Sequence, residues 1–267
     1  MATDLTIVIA VWDQHARLLP RCLQAIRNEP VAADLVLVDN ASGLPLDIPR
    51  GARLITLTKR QSIGAARNAG LAQVNTPFVV FADADDETAP SSLNRGLALL
   101  HRQPRAPGVL GRSIVEEHQR CRRGRTPRTA FRLASQYAPS LAPLFWLFAF
   151  QCSITSTVLR TATVRDAGGF PDSSSDEDWH LAARLARRGP FICLDQPVRI
   201  YHRHPAAARN TKPHQPGRTQ RQRICADCIT DPHANAAHRL LASILRRPAR
   251  SNRPTAPDGR GSALPPA

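Results

Sequence analysis

The sequence predicts an α/β domain built on a mostly parallel sheet flanked by helices, and three observations carry that expectation. Short apolar, β-branched runs alternate with segments of helical period over the first hundred or so residues, as when crossover helices join parallel strands. The runs at 5–11 and 78–81 are apolar at almost every position, which suits strands covered on both faces. The later runs end in polar, acid-bearing turns, and in open sheets of this kind ligands bind outside the carboxyl ends of the strands.

Taken in order, Leu5 to Val11 is the first strand. Leu19, Leu23 and Ile26 fall at i, i+4 and i+7 of a helix whose first turn holds Pro20, where a missing N–H is harmless. Leu35 to Val38 is the second strand and ends in the polar cluster Asp39 to Gly43; residues 44–52 lack a period and predict a loop. Leu54 to Leu57 is the third strand. A helix runs from Gly64 past Gly70 to about Val74, Asn75-Thr-Pro77 is a turn, and Phe78 opens the fourth strand. Pro90 to Gln103 is a helix with Leu93, Leu97 and Leu100 on one face, and Val109 to Val115 is strand-like.

Arg-rich residues 119–130 then predict a mobile loop, Leu141 to Phe150 a short apolar segment, and Ile154 to Leu159 a strand. Val164 to Phe170 leads through Gly168-Gly169 into a polar turn. Asp176 to Arg188 is a helix with acids at its start, Arg187 and Arg188 at its end and Gly189 as terminator. Phe191 to Leu194 and Val198 to Tyr201 are two short strands. Beyond about Pro205 the pattern fails except for a helix at Ala236 to Leu245, and the last twenty residues predict disorder.

The formal charge of +15 is concentrated. Residues 120–132 carry six Arg and no acid, residues 199–267 carry thirteen Arg or Lys against three Asp, and the remainder is close to neutral. Segments of this kind solvate, or touch anionic lipid or phosphate, more often than they read base sequence, so nucleic acid is not the expected partner and an anionic membrane surface is the better candidate. No run approaches the roughly 20 apolar residues of a membrane span. No secretory signal is visible, and the six cysteines at 22, 121, 152, 193, 225 and 228 suit free thiols in a reducing compartment. The expected location is cytoplasmic, with the Arg-rich segments permitting a peripheral position at the inner membrane face.

The stretch that organises the chain is Phe78-Val-Val-Phe-Ala-Asp-Ala-Asp-Asp-Glu87, in which Asp83, Asp85 and Asp86 crowd the end of a buried strand. That much negative charge is unfavourable without a cation. Its oxygens suit Mg2+ or Mn2+, which bridge carboxylates to substrate phosphates. The alternative is a polar loop that solvates its own charges and caps the helix after Pro90.

Four features recur in order: Val11-Trp-Asp13, Val38-Asp-Asn40, Gly64-x-x-Arg-Asn-x-Gly70 and Asp83-Ala-Asp-Asp86. Gly168-Gly-Phe-Pro-Asp172, Glu177-Asp178-Trp-His-Leu181 and Tyr201-His-Arg-His-Pro205 follow. This set resembles the family-two glycosyltransferases with the GT-A, Rossmann-like fold, over roughly residues 4–205. The resemblance implies a GT-A domain over 1–205, divided into a nucleotide-sugar half (1–117) and an acceptor and catalytic half (118–205). Residues 206–267 would be a basic, largely disordered tail. It also implies metal-dependent, inverting transfer of a sugar from a nucleotide-diphosphate donor to the hydroxyl of a glycan, glycolipid or small molecule.

By that resemblance Val11 and Asp13 lie in the donor site, and Asp39 accepts from the imide N–H of a uracil-like base, unless it closes an Asx-turn on its own backbone. Arg67 offers its fork to phosphate oxygens, the alternative being a solvent-facing helix charge. Asp83 touches the ribose and Asp85 holds the Mn2+ or Mg2+. His204 completes the metal shell, with His202 as a fallback that is otherwise a surface histidine. Asp178 is the base for the acceptor hydroxyl, the alternative being that Glu177 and Asp178 only complement a helix dipole.

The chain departs from the family pattern in carrying Asp13 where Asn is usual, in its short segment after Asn40, and in the Arg-rich insertion at 119–132, where acceptor-binding structure is expected. Cys225-x-x-Cys228 with His233 and His238 has zinc-type ligands at a spacing shorter than in common fingers. The rival readings are a basic protein that grips nucleic acid or anionic membrane, and a GT-A-like domain that binds a nucleotide sugar without turning it over.

Overall fold

A computed structural model describes residues 3–117, 120–124, 127, 129–148, 152–173, 175–203 and 217–246. Its centre is a sheet of four parallel strands, β1 (Leu5–Val11), β2 (Asp34–Asp39), β3 (Arg53–Thr56) and β4 (Phe78–Asp83), in the order β3-β2-β1-β4. A two-residue strand, Leu159–Arg160, adds antiparallel at the β4 edge. β1 shows why the sequence is apolar throughout. Val8 and Ala10 enter one core cluster while Ile7, Ile9 and Val11 enter another, one on each face of the sheet.

Helices cover both faces. α1 (Leu19–Arg27) carries Pro20 in its first turn and buries Leu19, Cys22, Leu23 and Ile26. α2 (Ile63–Leu71) lies against β1 and β2 through Gly70, where an added Cβ would sit 2.3 Å from a Val8 methyl. The chain builds outward from β1 through β2 to β3, then returns to place β4 on the other side of β1. That reversal makes the carboxyl ends of β1 and β4 a topological switch point, the place where open sheets bind ligands. Val11 pairs with Asp39 and Ala10 with Asp83, so three strands end level.

A second sheet joins the acidic turn to the rest of the chain. β5 (Glu87–Thr88) pairs antiparallel with a long strand at Ile192–His202, which runs parallel to β6 (Val109–Glu117). β7 (Arg120–Arg123) closes a hairpin on β6. Between them in the chain come α3 (Ser92–Arg102), α4 (Thr129–Tyr137), α5 (Ala142–Phe148), β8 (Leu159–Arg160 above), α6 (Thr161–Asp166), α7 (Glu177–Ala186) and β9 (Ile192–His202 above), followed by α8 (Gly217–Thr230) and α9 (Ala236–Arg246).

Several expectations are corrected. The Arg-rich stretch is a strand over 120–123 and enters α4 at Thr129. Only Leu159–Arg160 of the strand expected at 154–159 forms, because Ser156 adopts a left-handed φ of 59° and its N–H bonds the carbonyl of Phe81. The two short strands after Gly189 are one, β9. The helix expected at Ala236 to Leu245 forms as α9, and α8 precedes it where the tail was expected to lack structure; Ile224, Cys225, Cys228, Ala234 and Ala242 pack into the main core cluster. The buried apolar positions of α8 are Ile224 and two cysteines set among arginines, which weakens its periodic signal. Residues 247–267 lie outside the described residues.

α3 starts without a side-chain cap of its own, since Ser91 is left-handed. Glu29 instead reaches across from the end of α1 and accepts from the N–H groups of Ser92 and Leu93 at 3.1 Å each. A buried carboxylate at a helix N-terminus combines a cap with the macrodipole. Glu29→Ala is therefore expected to lower unfolding stability by about 1–3 kcal/mol, with Glu29→Gln intermediate. Urea midpoints at constant m-value check it, and an unchanged midpoint would contradict the capping role.

Candidate active site

The acidic turn after β4 is met by arginines from three different elements, Arg21, Arg67 and Arg199, with His15 and His202 beside it. Asp83 accepts from Arg67 of α2 at 2.5 Å and lies 3.4 Å from Arg199 of β9. Burial alone would raise its carboxyl, but the two guanidinium groups outweigh burial and hold it below the usual carboxylate range. Asp86, 1% exposed, meets Arg199 Nε at 2.7 Å and accepts from the His202 N–H at 3.1 Å. Its carboxyl is nevertheless pushed well up, by burial first, with Arg199 opposing and Asp85 and Asp83 adding repulsion. Asp85 lies 3.5 Å from His15 Nδ1, and its backbone carbonyl accepts from Arg21. Glu87 meets Arg21 at 3.3 Å and His202 Nε2 at 2.7 Å.

The motif Gly64 to Gly70 has a separate physical reason at each position. Gly64 lets the loop after α6 approach, since a Cβ there would fall 2.0 Å from the Pro171 carbonyl oxygen. Asn68 donates to the Phe170 carbonyl (2.8 Å) and accepts from the Phe170 N–H (2.9 Å), holding Phe170 as a neighbouring strand would. Gly169, at φ 66°, passes directly over that amide. Arg67 is 3% exposed; one arm donates to Asp83 and the other to Glu177 Oε1 at 2.5 Å, with the guanidinium 5.1 Å from the Phe170 ring. The solvent-facing alternative is thereby excluded, and in this structure the fork holds two carboxylates.

The same network places Asp178 beside the turn. Asp178 follows Glu177 at the start of α7, and its Oδ2 accepts from Ser153 Oγ at 2.9 Å. Ser153 Oγ in turn accepts from Arg199 at 3.1 Å, and Arg199 also bonds Thr155. A continuous path therefore runs Asp178–Ser153–Arg199 to Asp83 and Asp86. Burial, then the charge of Glu177, push the Asp178 carboxyl up to about 7, against the opposing pull of Ser153, Arg67 and Arg199.

The remaining expected residues sit at the rim or elsewhere. Val11 is buried at the end of β1, where its carbonyl accepts from the Asn40 N–H. Asp13 is exposed, at φ 39°, and pairs with Arg60, whose guanidinium lies 4.4 Å from the Trp12 ring centroid. Asp39 Oδ1 accepts from the Ser42 N–H at 2.9 Å, which is the local turn given as its alternative. His204 lies outside the described residues. His202, expected at the surface, is buried between Glu87 and Glu116, because β9 carries it behind the acidic turn.

Sequence reasoning missed Arg199, Ser153 and Asn40, the last bonded twice to the backbone of Gln61. The run after Pro197 gives no local sign of Arg199's role. Of the zinc-type residues, Cys225 and Cys228 are buried on α8, while His238 bonds the Ser140 carbonyl at 2.7 Å. Among the described residues no three His, Cys, Asp or Glu side chains form a metal cage. At the acidic turn the donor chemistry nonetheless fits a hard divalent cation. Asp83 and Asp85 bring carboxylate oxygens into one short turn, and Asp85 lies beside the His15 imidazole, so oxygen and nitrogen donors of the kind such ions take stand together.

Comparison with known proteins gives the same picture. The profile described as "Glycosyl transferase family 2" matches residues 6–150, more than half of the chain. The pre-mycofactocin glycosyltransferase of Mycobacterium tuberculosis is 28% identical over 222 residues, covering 78% of this chain and 44% of that protein. The succinoglycan biosynthesis protein ExoO of Rhizobium meliloti is 29% identical over 99 residues, covering 34% and 28%. The chain thus spans less than half the length of these curated relatives.

Among solved structures, S. aureus TarS 1–349 in complex with UDP-GlcNAc superposes with a TM-score of 0.70 at 15% identity, covering 91% of this chain and 71% of that one. The mannosyltransferase PcManGT from Pyrobaculum calidifontis, in complex with GDP-Man and Mn2+, gives 0.61 at 18%, covering 92% and 70%. The fold is that of the GT-A proteins, and the chain belongs to glycosyl transferase family 2.

Proposed function

We propose that the chain transfers a sugar from a nucleotide-diphosphate donor to an acceptor hydroxyl, with inversion, and that a divalent cation assists. The observation that carries this reading is the path joining Asp178, a half-buried carboxylic acid poised near neutrality, to the acidic turn at the sheet's switch point. A donor bound at the carboxyl ends of β1, β2 and β4 would lie over Val11, Asp13, Asp39 and Asp83. Asp85 would hold the cation, Mn2+ or Mg2+, with Asp83 close by and His204 as a further candidate. Bound there, the cation would neutralise charge developing on the diphosphate leaving group.

Asp178 acts on the other reactant. Its carboxylate takes the proton of the acceptor hydroxyl as that oxygen attacks the anomeric carbon from the face opposite the departing diphosphate. Ser153 holds one carboxylate oxygen and the Trp179 N–H the other, fixing the plane of the base. Arg67 keeps Glu177 engaged next door, so the two adjacent acids take different roles.

Since the ionised form is the base, log kcat/KM should rise with pH up to about 7 and level above it. Asp178→Asn should lose about 10²–10⁴ in transfer rate while keeping donor binding; undiminished transfer would refute the assignment. Stability gives a second reading of the same group. A carboxyl whose pKa is higher folded than unfolded opposes folding once ionised, the cost setting in from the ordinary range near 4 up to about 7. The melting temperature of Asp178→Asn relative to wild type should therefore climb across that window, and a constant difference would contradict the burial.

A thermal-shift panel of nucleotide sugars tests donor and cation together. One donor with Mn2+ should raise the melting temperature by about 5–10 °C at ~100 Kd, and Asp85→Asn should remove the Mn2+-dependent part. Stabilisation that ignores Mn2+ or survives Asp85→Asn would reject the cation assignment. Stabilisation without donor hydrolysis or transfer would favour a non-catalytic nucleotide-sugar-binding domain.

A further inference from the structure

We infer that the outer face of α4, α5 and α9 is a docking surface for an anionic lipid bilayer. This inference is independent of the catalytic reading. α5 packs against both α4 and α9. Phe131 of α4 stands 6.2 Å from the Phe145 ring of α5, and His238 of α9 bonds the Ser140 carbonyl just before α5. All three helices bury one side in the same core cluster, through Phe131 and Ala134, Trp146 and Leu147, and Ala242. Their opposite sides carry large exposed apolar residues among polar ones such as Gln136, Arg239 and Ser243.

Leu133 and Tyr137, one turn apart on α4, are 53% and 73% exposed. Leu141 and Phe148, on either side of α5, are 50% and 51%, and Leu240 and Ile244, one turn apart on α9, are 65% and 54%. These are six of the eight large hydrophobic residues exposed among the described residues. An outward ridge on each of three neighbouring helices marks an interaction site more than chance scatter does.

Charge identifies the partner. From 118 to 165 the sequence holds eight Arg and no Asp or Glu, and from 232 to 257 it holds five Arg and again no acid. α4, α5 and α9 all lie inside these two acid-free stretches, and the fully exposed Arg120–Arg123 strand precedes α4 in the first of them. Around these ridges Arg120, Arg123, Arg239 and Arg246 are exposed, while Arg132 pairs with Asp195 and Arg122 with Glu117; apolar side chains projecting from such a basic background match the boundary between headgroups and acyl chains of a negatively charged leaflet. No helix among the described residues is long and apolar enough to cross a membrane, so the surface lies on the bilayer and does not span it. On its buried side α5 reaches the helix of Asp178, for the Trp179 indole donates to the Trp146 carbonyl at 2.9 Å.

Flotation of the full chain tests this with phosphatidylcholine vesicles, alone or with about one third phosphatidylglycerol. Wild type should partition onto the anionic vesicles at least about tenfold better than onto neutral ones. Leu240→Glu with Ile244→Glu should lower that partition about tenfold or more, leaving melting temperature and nucleotide-sugar thermal shifts unchanged. Leu133→Ser with Tyr137→Ser repeats the test on α4 should the α9 variant fold poorly. Equal partition onto both vesicle types, no partition at all, or unchanged partition in both variants would overturn the inference. So would a dimer in light scattering that the variants abolish, which would assign the face to a second copy of the chain.

Discussion

The Arg67 guanidinium holds the halves of the site together. It is almost wholly buried and divides its donors between Asp83 at the end of β4 and Glu177 at the start of α7, both at 2.5 Å. Removing one partner of such a triad strands a buried charge and costs about 3–5 kcal/mol. Keeping all three partners fixes geometry, because the planar fork accepts two carboxylates only when helix and strand stand in one relation. The neighbours of Arg67 serve the same purpose. Gly64 and Gly70 allow the close approaches, and Asn68 pins Phe170. The glycine-rich helix is thus a brace between the strand that ends in the acidic turn and the helix that begins with Glu177 and Asp178. Donor phosphate would meet Arg67 only by competing with the carboxylates it already holds.

Within the turn, equal residues behave unequally. Asp83 faces two guanidinium groups and is held low, whereas Asp86, deeper and opposed by only one arginine beside two other carboxylates, is pushed up. The difference follows from position: Asp83 ends β4 where α2 can reach it, and Asp86 turns inward beneath β9. Pairing of β5 with β9 makes this possible, for it brings Arg199 and the His202 N–H within bonding distance of Asp86. The second sheet, whose strands but not their pairing were expected, adds Arg199 and His202 to the arginines that α1 and α2 bring to the acidic turn.

What was legible in the sequence is what local chemistry writes. The runs at β1, β2 and β4 are continuous because both faces are covered, the acids of the turn are consecutive, and α7 is bounded by its own charges. What was not legible is long-range. Arg67 and Glu177 are 110 residues apart, and His202 and Asp86 are 116 apart. No spacing rule connects such partners, so Arg199 and Ser153 could not be singled out beforehand. β7 was missed for another reason. It buries none of its residues, so the hydrophobic alternation that betrays a strand is absent. α8 escaped notice because its buried positions are Gln220, Ile224, Cys225 and Cys228, set among arginines.

The pair Glu177–Asp178 shows how the fold separates roles that composition leaves equivalent. Two adjacent acids at a helix start would be interchangeable if both faced water, each complementing the dipole. Here they point to different partners, Glu177 to the brace arginine and Asp178 to a serine hydroxyl. The first is tied to a full positive charge and can hardly leave it. The second has only hydrogen-bond donors in direct contact and the charge of Glu177 alongside, so burial dominates and its proton becomes exchangeable near neutrality. A group that must first be ionised and then accept a proton needs that balance. The neighbour helps create it, because the charge of Glu177 alongside adds to the burial that raises Asp178.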